Sequence, residues 1–463
     1  MEEMSARFVN IDHDSPMLLP PDLRDWVTSD HMVHFIIDAV KALDLSLARI
    51  NSRGTGHAQY PPAMMLGLLI YCYATGTFSS RRIETLTHEN VAVRFLTANT
   101  HPDHDSICKF RRENKDLLAS SFHQVLELAA RAEVLQVGDI TVAIDGTKIL
   151  ANASKHSAVS YGHALKQIQL AEDQITQLLQ KAEDADSTPL QDGLTIPEEI
   201  KRRQDRLAKL HKAKQAMEAR AKDRLIEEQA AYQEKLTARQ AKEQSTGKKP
   251  PGKAPQPPQE GPRDKDQYNF TDPESRIMKV RGGFEQSYNA QAAVEVTTML
   301  IVGAHVTDQA NDKQQLIPTL AAVSPVIPQV TNVLVDSGYY SEKAVLTVES
   351  AAQPATIYAT MNRQPHGRTI AQLEVREDPP PPPPPDATVP ARMAHRLDTT
   401  TGKQLYRLRK QTVEPVFGII KQALGFRRFL LRGQEKVSLE WSLVSTSYNL
   451  KRLYNLGMKL GTA

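Results

Sequence analysis

The stretch Gly138-Asp139-Ile140-Thr141-Val142-Ala143-Ile144-Asp145-Gly146-Thr147 decides the fold class. Ile140 to Ile144 is β-branched and apolar, which suits a short buried strand, and Asp145-Gly146-Thr147 reads as the turn that ends it. A second stretch, Asn332-Val333-Leu334-Val335 followed by Asp336-Ser337-Gly338-Tyr339, has the same form. Between them, Tyr288–Val296 and Leu300–Thr307 alternate and are joined by Thr297-Thr298-Met299, the pattern of a hairpin. Gln314–Val323 suits a helix and Thr356–Thr360 a third strand. Gln411–Leu424 predicts a helix in which Pro415 is tolerated only near the first turn. Leu439–Leu456 predicts the last helix.

This order is strand-Asp, hairpin, helix, strand-Asp, then helix-Glu. If the two strands share a sheet, their ends bring Asp145 and Asp336 together. Glu414, expected at the start of the later helix, can close on them. Three carboxylates in one place repel unless cations lie between them. Hard oxygen ligands with open positions suit Mg²⁺ or Mn²⁺, and two such ions serve phosphoryl transfer. No single residue carries this reading. An aspartate after a strand is more often a plain turn residue, and a glutamate at a helix start is favourable without any further role. Asp272, Glu274, Asp308 and Asp312 are competing acids.

The rest of the chain reads as two helical regions. Residues 16–135 hold a periodic run over Leu23–Leu45 and a strongly apolar stretch, Ala63–Tyr73, expected to be a buried helix. Ser79-Ser80 and Asp105-Ser106 are expected to cap helices that carry Arg81 and Arg82, and Lys109, Arg111 and Arg112. Short helices with exposed arginines suit a helix-turn-helix type of DNA-binding domain; the plainer alternative is a bundle with solvated basic faces. In residues 160–262, apolar residues recur at helical spacing from Leu165 to Ala182 and from Ile200 to Leu225, around a loop at Asp184–Pro197. Two long helices in an antiparallel hairpin or coiled coil are expected there, followed by a flexible linker over Gly247–Gly261. The unbroken prolines Pro379–Pro385 predict a stiff surface loop within 375–390.

Composition narrows the classes. With 463 residues, 40% of them hydrophobic and 24% charged, the chain can bury cores in two or three domains. Its two cysteines exclude a disulfide framework or a four-cysteine zinc site. The spacing of His101, Asp103, His104, Asp105 and Cys108 fits no common zinc pattern. The first 25 residues carry acids and no apolar run, so no signal peptide is expected. The longest apolar stretch, Pro62–Thr75, is too short to span a bilayer. A cytoplasmic protein without a membrane partner is expected. The net charge of +3 is unevenly placed: from residue 401 onward there are twelve Lys and Arg against three Glu. Phe426–Arg432 interleaves aromatic and basic residues, which suits phosphate contacts made without reading sequence.

Several blocks carry a resemblance. Asp145-Gly146-Thr147-Lys148 with Ala151-Asn152-Ala153-Ser154 resembles the first catalytic block of bacterial DDE insertion-sequence transposases. Asp336-Ser337-Gly338-Tyr339-Tyr340-Ser341 resembles their second. Lys410–Gly418, Lys421 and Gly425–Phe429 resemble the third. Pro62–Glu84, Pro102–Asp105 and Phe110-Arg111-Arg112 are similar to their helical N-terminal domain. Asp272-Pro273-Glu274-Ser275-Arg276 and Tyr288-Asn289-Ala290-Gln291-Ala292 match as well.

The resemblance implies a ribonuclease H-like catalytic domain, a mixed sheet flanked by helices, over 137–159 and 263–463. An all-α DNA-binding domain would occupy 1–136, and the long helical hairpin and linker would be an insertion at 160–262. It implies that Asp145, Asp336 and Glu414 are catalytic and hold two Mg²⁺ or Mn²⁺ ions. Water would attack the phosphodiester at the element's end, and the freed 3′-hydroxyl would attack target DNA. Related families carry Tyr, Arg, Glu and Lys around the third carboxylate; the matching residues are Tyr406, Arg409, Glu414 and Lys421. Four residues separate Arg409 from Glu414, one more than the family pattern, so Lys410 competes for that place. Lys148, Lys421, Arg427, Arg428, Arg111 and Arg112 are the further DNA-binding candidates. The expected partners are double-stranded DNA, as terminal inverted repeats and target in the nucleoid, and a second copy of the chain or more in the DNA complex. A catalytically inactive, domesticated DNA-binding descendant is the alternative, and a structural protein that recruits partners through its helical arm is a third reading.

Overall fold

The computed structural model describes residues 22–51, 58–187, 195–247, 249, 252–361, 381–384 and 386–460. Two units divide the chain: residues up to Leu135 together with those from Thr446 onward, and Gln136–Ser445.

The first unit is helical, with α1 (Met32–Lys41), α2 (Pro62–Ala74), α3 (Ser80–Glu89), α4 (Val91–Leu96), α5 (His104–Glu113) and α6 (Lys115–Arg131). Every residue of α2 from Met65 to Ala74 is buried, as expected of a helix that is apolar all round. Its Pro62 sits where a missing N–H costs nothing. The periodic run over 23–45 is helical only in a short 3-10 turn, Leu23–Asp25, and in α1. The cap of α5 is Asp103, whose carboxylate accepts from Ser106 N at 2.6 Å. Asp105, expected as the cap, instead lies in the first turn, where its charge faces the positive helix end.

The second unit is mixed α/β, compatible with a ribonuclease H-like fold. Its strands are β1 (Ile140–Leu150), β2 (Ala158–Ser160), β3 (Gln267–Asn269), β4 (Arg276–Val280), β5 (Gly283–Glu295), β6 (Ile301–Thr307), β7 (Val330–Val335) and β8 (Thr356–Ala359). Six form one sheet in the order β4-β5-β1-β7-β8, with β6 also on β5. β5 is antiparallel to β1, β4 and β6, while β7 is parallel to both β1 and β8. One expectation is corrected: β1 does not end at Asp145. It continues through Asp145-Gly146-Thr147 to Leu150, because the antiparallel ladder with β5 runs unbroken from Val142↔Glu295 to Leu150↔Ser287. An Asp-Gly pair has turn propensity, but cross-strand bonds on both sides of it override that preference.

The expected hairpin is present as α7 (Tyr161–Ser187) and α8 (Ile196–Thr246). Its base is a small core of Ala164, Ile168, Leu210, Ala213 and Met217 with Val159 of β2 and Tyr268 of β3, the two strands that pair beneath it. The remaining helices are α9 (Leu316–Ala321), α10 (Glu342–Glu349), α11 (Val389–Asp398), α12 (Thr400–Gly418) and α13 (Gln434–Asn455). α12 packs across β1, β5, β7 and β8. It begins well before Gln411, so Pro415 lies inside the helix rather than in its first turn. Pro415 has no N–H to give the Gln411 carbonyl four residues back, and a π-helical turn, Ile419–Ala423, follows at once. Of the expected proline loop, 375–380 and 385 lie outside the described residues, and Val389 and Pro390 already belong to α11. Among the described residues, no helix is long and apolar enough to cross a membrane.

Candidate active site

One edge of β1 builds the site. β7 pairs with it only as far as Ala143↔Leu334. Two further steps of that parallel register set Asp145 abreast of Asp336, the residue that follows β7. Farther along the same edge a different segment takes over: Leu150 N donates to Arg427 O at 3.1 Å, and Phe429 N donates to Leu150 O at 2.8 Å. Between the two pairings lies a gap on the β1 edge, from Asp145 toward Ile149. Lys421 reaches into it and donates to the Lys148 carbonyl at 2.8 Å.

The carboxylates differ in setting. The Asp145 side chain is 21% exposed, and its Oδ1 accepts from Gly146 N at 2.8 Å. Burial, aided by the charges of Asp336 and Asp312, pushes its carboxyl up to about 7, against the opposing pull of the Gly146 N–H and Arg409. Asp336 Oδ1 accepts from Gly338 N at 2.8 Å, which curls the loop after β7 around its own carboxylate. Glu414 lies in the body of α12, not at a helix start, and is 52% exposed. Arg409, which is buried, stands between: its Nη1 is 3.7 Å from Asp145 Oδ2 and its Nη2 is 3.5 Å from Glu414 Oε1. The extra residue between Arg409 and Glu414 therefore does not remove Arg409 from the site, and Lys410 is exposed. Among the described residues, no three His, Cys, Asp or Glu side chains converge closely enough to grip an ion.

The other expected site residues fall in three places. Tyr406 bonds Thr360 at the end of β8, with 3.0 Å between the hydroxyls. Lys421 is half-buried, and burial and its cationic neighbours Lys148 and Arg427 hold its ammonium below the usual lysine range. Arg427 and Arg428 are exposed, but Phe426 and Phe429 on either side of them are buried, so the aromatic–basic interleaving sorts into a core side and a solvent side. Arg112 is exposed, whereas Arg111 is buried inside the helical unit. The Arg111 guanidinium donates to Tyr73 Oη at 2.8 Å and to Ser80 Oγ. It ties α5 to α2 and α3, so Arg111, expected among the exposed arginines, is instead buried.

Sequence reasoning ranked Asp312 only as a competing acid. In the fold it accepts from the buried amides of Asn289 and Gln291 at 2.7 and 2.8 Å, and Lys148 Nζ lies 3.4 Å away. The signal was two polar residues, Asn289 and Gln291, in a strand buried on both faces. Of the remaining acids, Asp308 pairs with Arg276 at 2.7 Å. Asp272 and Glu274 accept the backbone N–H groups of Gly433 and Gln434.

The fold and site define a class: a mixed α/β protein with one aspartate on a strand, a second just after the neighbouring strand, and a glutamate on a helix that packs across that sheet. Two family models then match. The model described as transposase DDE domain matches residues 386–454, which include Glu414, and the model described as transposase domain (DUF772) matches residues 21–113. Together they support the chain's place among insertion-sequence DDE transposases. No curated protein and no solved structure matches it.

Proposed function

We propose that the protein binds the terminal inverted repeats of its insertion sequence and catalyses metal-dependent phosphodiester hydrolysis and strand transfer into target DNA. The observation that carries this reading is the β1–β7 register, which sets Asp145 beside Asp336 where the sheet edge opens toward α12. The donor set suits hard divalent cations: all three groups are carboxylates, and the charges of Asp336 and Asp312 add to the burial of Asp145. Asp145, Asp336 and Glu414 would hold two Mg²⁺ or Mn²⁺ ions. When bound, such ions activate an attacking oxygen and stabilise the leaving one.

The chain's own residues supply the rest. Arg409 holds Asp145 and Glu414 toward a common centre. Lys421 reaches into the β1 gap, Arg427 and Arg428 add exposed positive charge beside it for the DNA backbone, and Lys148 turns instead to Asp312. Tyr406 is placed one turn before Arg409 on α12, on the same side. Arg112, with the helical unit around it, contributes to binding of the element's ends. Two ends must be held together, so the active form contains two or more copies.

A cleavage assay tests this on DNA carrying the gene's own flanking sequence, with Mg²⁺ or Mn²⁺. Wild-type protein is expected to nick at the element's ends, and Asp145→Ala, Asp336→Ala and Glu414→Ala are each expected to abolish nicking while still binding DNA. Cleavage that survives all three substitutions would refute the site. Binding without cleavage by the wild type would favour a domesticated DNA-binding protein.

A further inference from the structure

On a strand, alternate side chains project to opposite faces, and cross-strand partners share a face. Asp145 pairs with Ala292, whereas Gly146 pairs with Gln291 and Lys148 with Asn289. Asp145 and its partner Arg409 therefore occupy one face of β1, and Gln291, Asn289 and Lys148 the reverse face. Asp312 belongs to that reverse face. Its Oδ1 gathers Asn289 Nδ2 at 2.7 Å, Gln291 Nε2 at 2.8 Å and Lys148 Nζ at 3.4 Å.

Three further observations join this network to the carboxylates. A side chain at Gly146 would place its Cβ 2.7 Å from Asp312 Oδ1 and 2.9 Å from Asn289 Oδ1, so the network presses directly on the backbone next to Asp145. Gln291 Oε1 accepts from the hydroxyl of Tyr339, a buried residue three places after Asp336. Finally, Asn289 Oδ1 is a buried acceptor with no hydrogen-bond partner, aimed at Gly146. A fold does not ordinarily spend two fully buried amides on one aspartate, because each buried polar group costs free energy unless it is well paired.

We propose that Asp312 is a positioning residue of the carboxylate centre. From the reverse face of β1 it fixes the amides of Gln291 and Asn289, and through Gln291 and Tyr339 it fixes the loop that begins at Asp336. The relative placement of Asp145 and Asp336 then depends on a residue that touches neither DNA nor the reacting atoms. This rests on the metal-dependent reading above.

The test is Mn²⁺ binding by the full-length protein without DNA, followed as the rise in melting temperature with Mn²⁺ concentration, together with the Mn²⁺ concentration for half-maximal cleavage. Asp312→Asn keeps the size and one acceptor but removes the charge that gathers three donors. It is expected to raise both half-saturating Mn²⁺ concentrations about tenfold, the scale of a single charge-assisted interaction, with affinity for DNA unchanged. Tyr339→Phe removes only the hydroxyl and is expected to shift them the same way, which keeps the test open if Asp312→Asn does not fold. Asp308→Asn, in the same loop, is expected to leave Mn²⁺ binding alone. A lower melting temperature in Asp312→Asn or Tyr339→Phe with unchanged Mn²⁺ affinity would overturn the proposal and leave a structural role only. Unchanged affinity in Asp336→Asn as well would overturn the metal centre itself, and this inference with it.

Discussion

Arginines 111 and 112 are neighbours in sequence with opposite fates. Arg111 is buried and bonded to α2 and α3, and Arg112 faces solvent. Arg111→Ala leaves the Tyr73 hydroxyl and neighbouring groups without their donor and is expected to cost about 2–4 kcal/mol of stability in urea unfolding. Arg112→Ala is expected to change stability by less than about 0.5 kcal/mol and to show its effect in DNA binding instead. Asp145 poses the opposite problem, since its ionised form is the unfavourable one in the apo protein. Its folded pKa, about 7, lies above that of an unfolded aspartate, so the folded state takes up a proton first as the pH falls. Its contribution to stability is therefore full below the unfolded value and is lost as the pH rises through 7. Asp145→Asn is expected to raise the stability of the metal-free protein by about 1–3 kcal/mol at pH 8, a gain that shrinks toward pH 5. Equal stability of the two proteins across that range in chelator would refute this account of the site.

At the scale of elements, the segment from Arg427 to Gln434 is held by carboxylates rather than by a strand of its own. Leu430 N and Leu431 N donate to Glu440 at 2.9 and 3.0 Å, and Gly433 N and Gln434 N to Asp272 and Glu274. Glu440→Ala strips two backbone donors of their acceptor and is expected to cost about 2–4 kcal/mol. Arg427→Ala and Arg428→Ala leave the segment in place and are each expected to flatten the salt dependence of DNA binding by about one phosphate contact. A salt slope unchanged in both would remove this segment from the DNA interface. The strands β1 and β7, the hairpin of β5 and β6 and the long helices were legible, because each is written in a local composition or period, whereas the pairing of β1 with β7 entered only as a condition. The end of β1 and the place of Pro415 were not legible. Asp-Gly-Thr and an internal proline carry strong local preferences, and partners distant in sequence (β5 for one, the sheet beneath α12 for the other) overrule them. Asp145, Asp336 and Glu414 stood out through the order of elements. Asp312 did not, because its importance lies in Asn289, Gln291 and Tyr339, which only the fold brings to it.

At the scale of the whole molecule, the α7–α8 hairpin is the largest part that the carboxylate site does not use. Its base cannot be removed freely, because Ile168, Leu210, Ala213 and Met217 pack with Val159 and Tyr268. Arg224 also holds Asp266 with two bonds of 2.9 Å. Cutting the whole of 165–255 would therefore expose Val159 and Tyr268. The outer part is different. Gln174 and Arg203 face one another across the hairpin at 3.0 Å, so residues 175–202 can be replaced by a short flexible link that leaves the base cluster intact. The trimmed protein is expected to unfold within about 1 kcal/mol of the full chain and to nick a single element end at the wild-type rate. If the arm joins copies, paired-end complexes in a gel-shift assay are expected to be lost while single-end complexes remain. Retention of paired-end complexes would mean that two copies meet elsewhere. Loss of single-end nicking would mean that the arm serves the active centre directly.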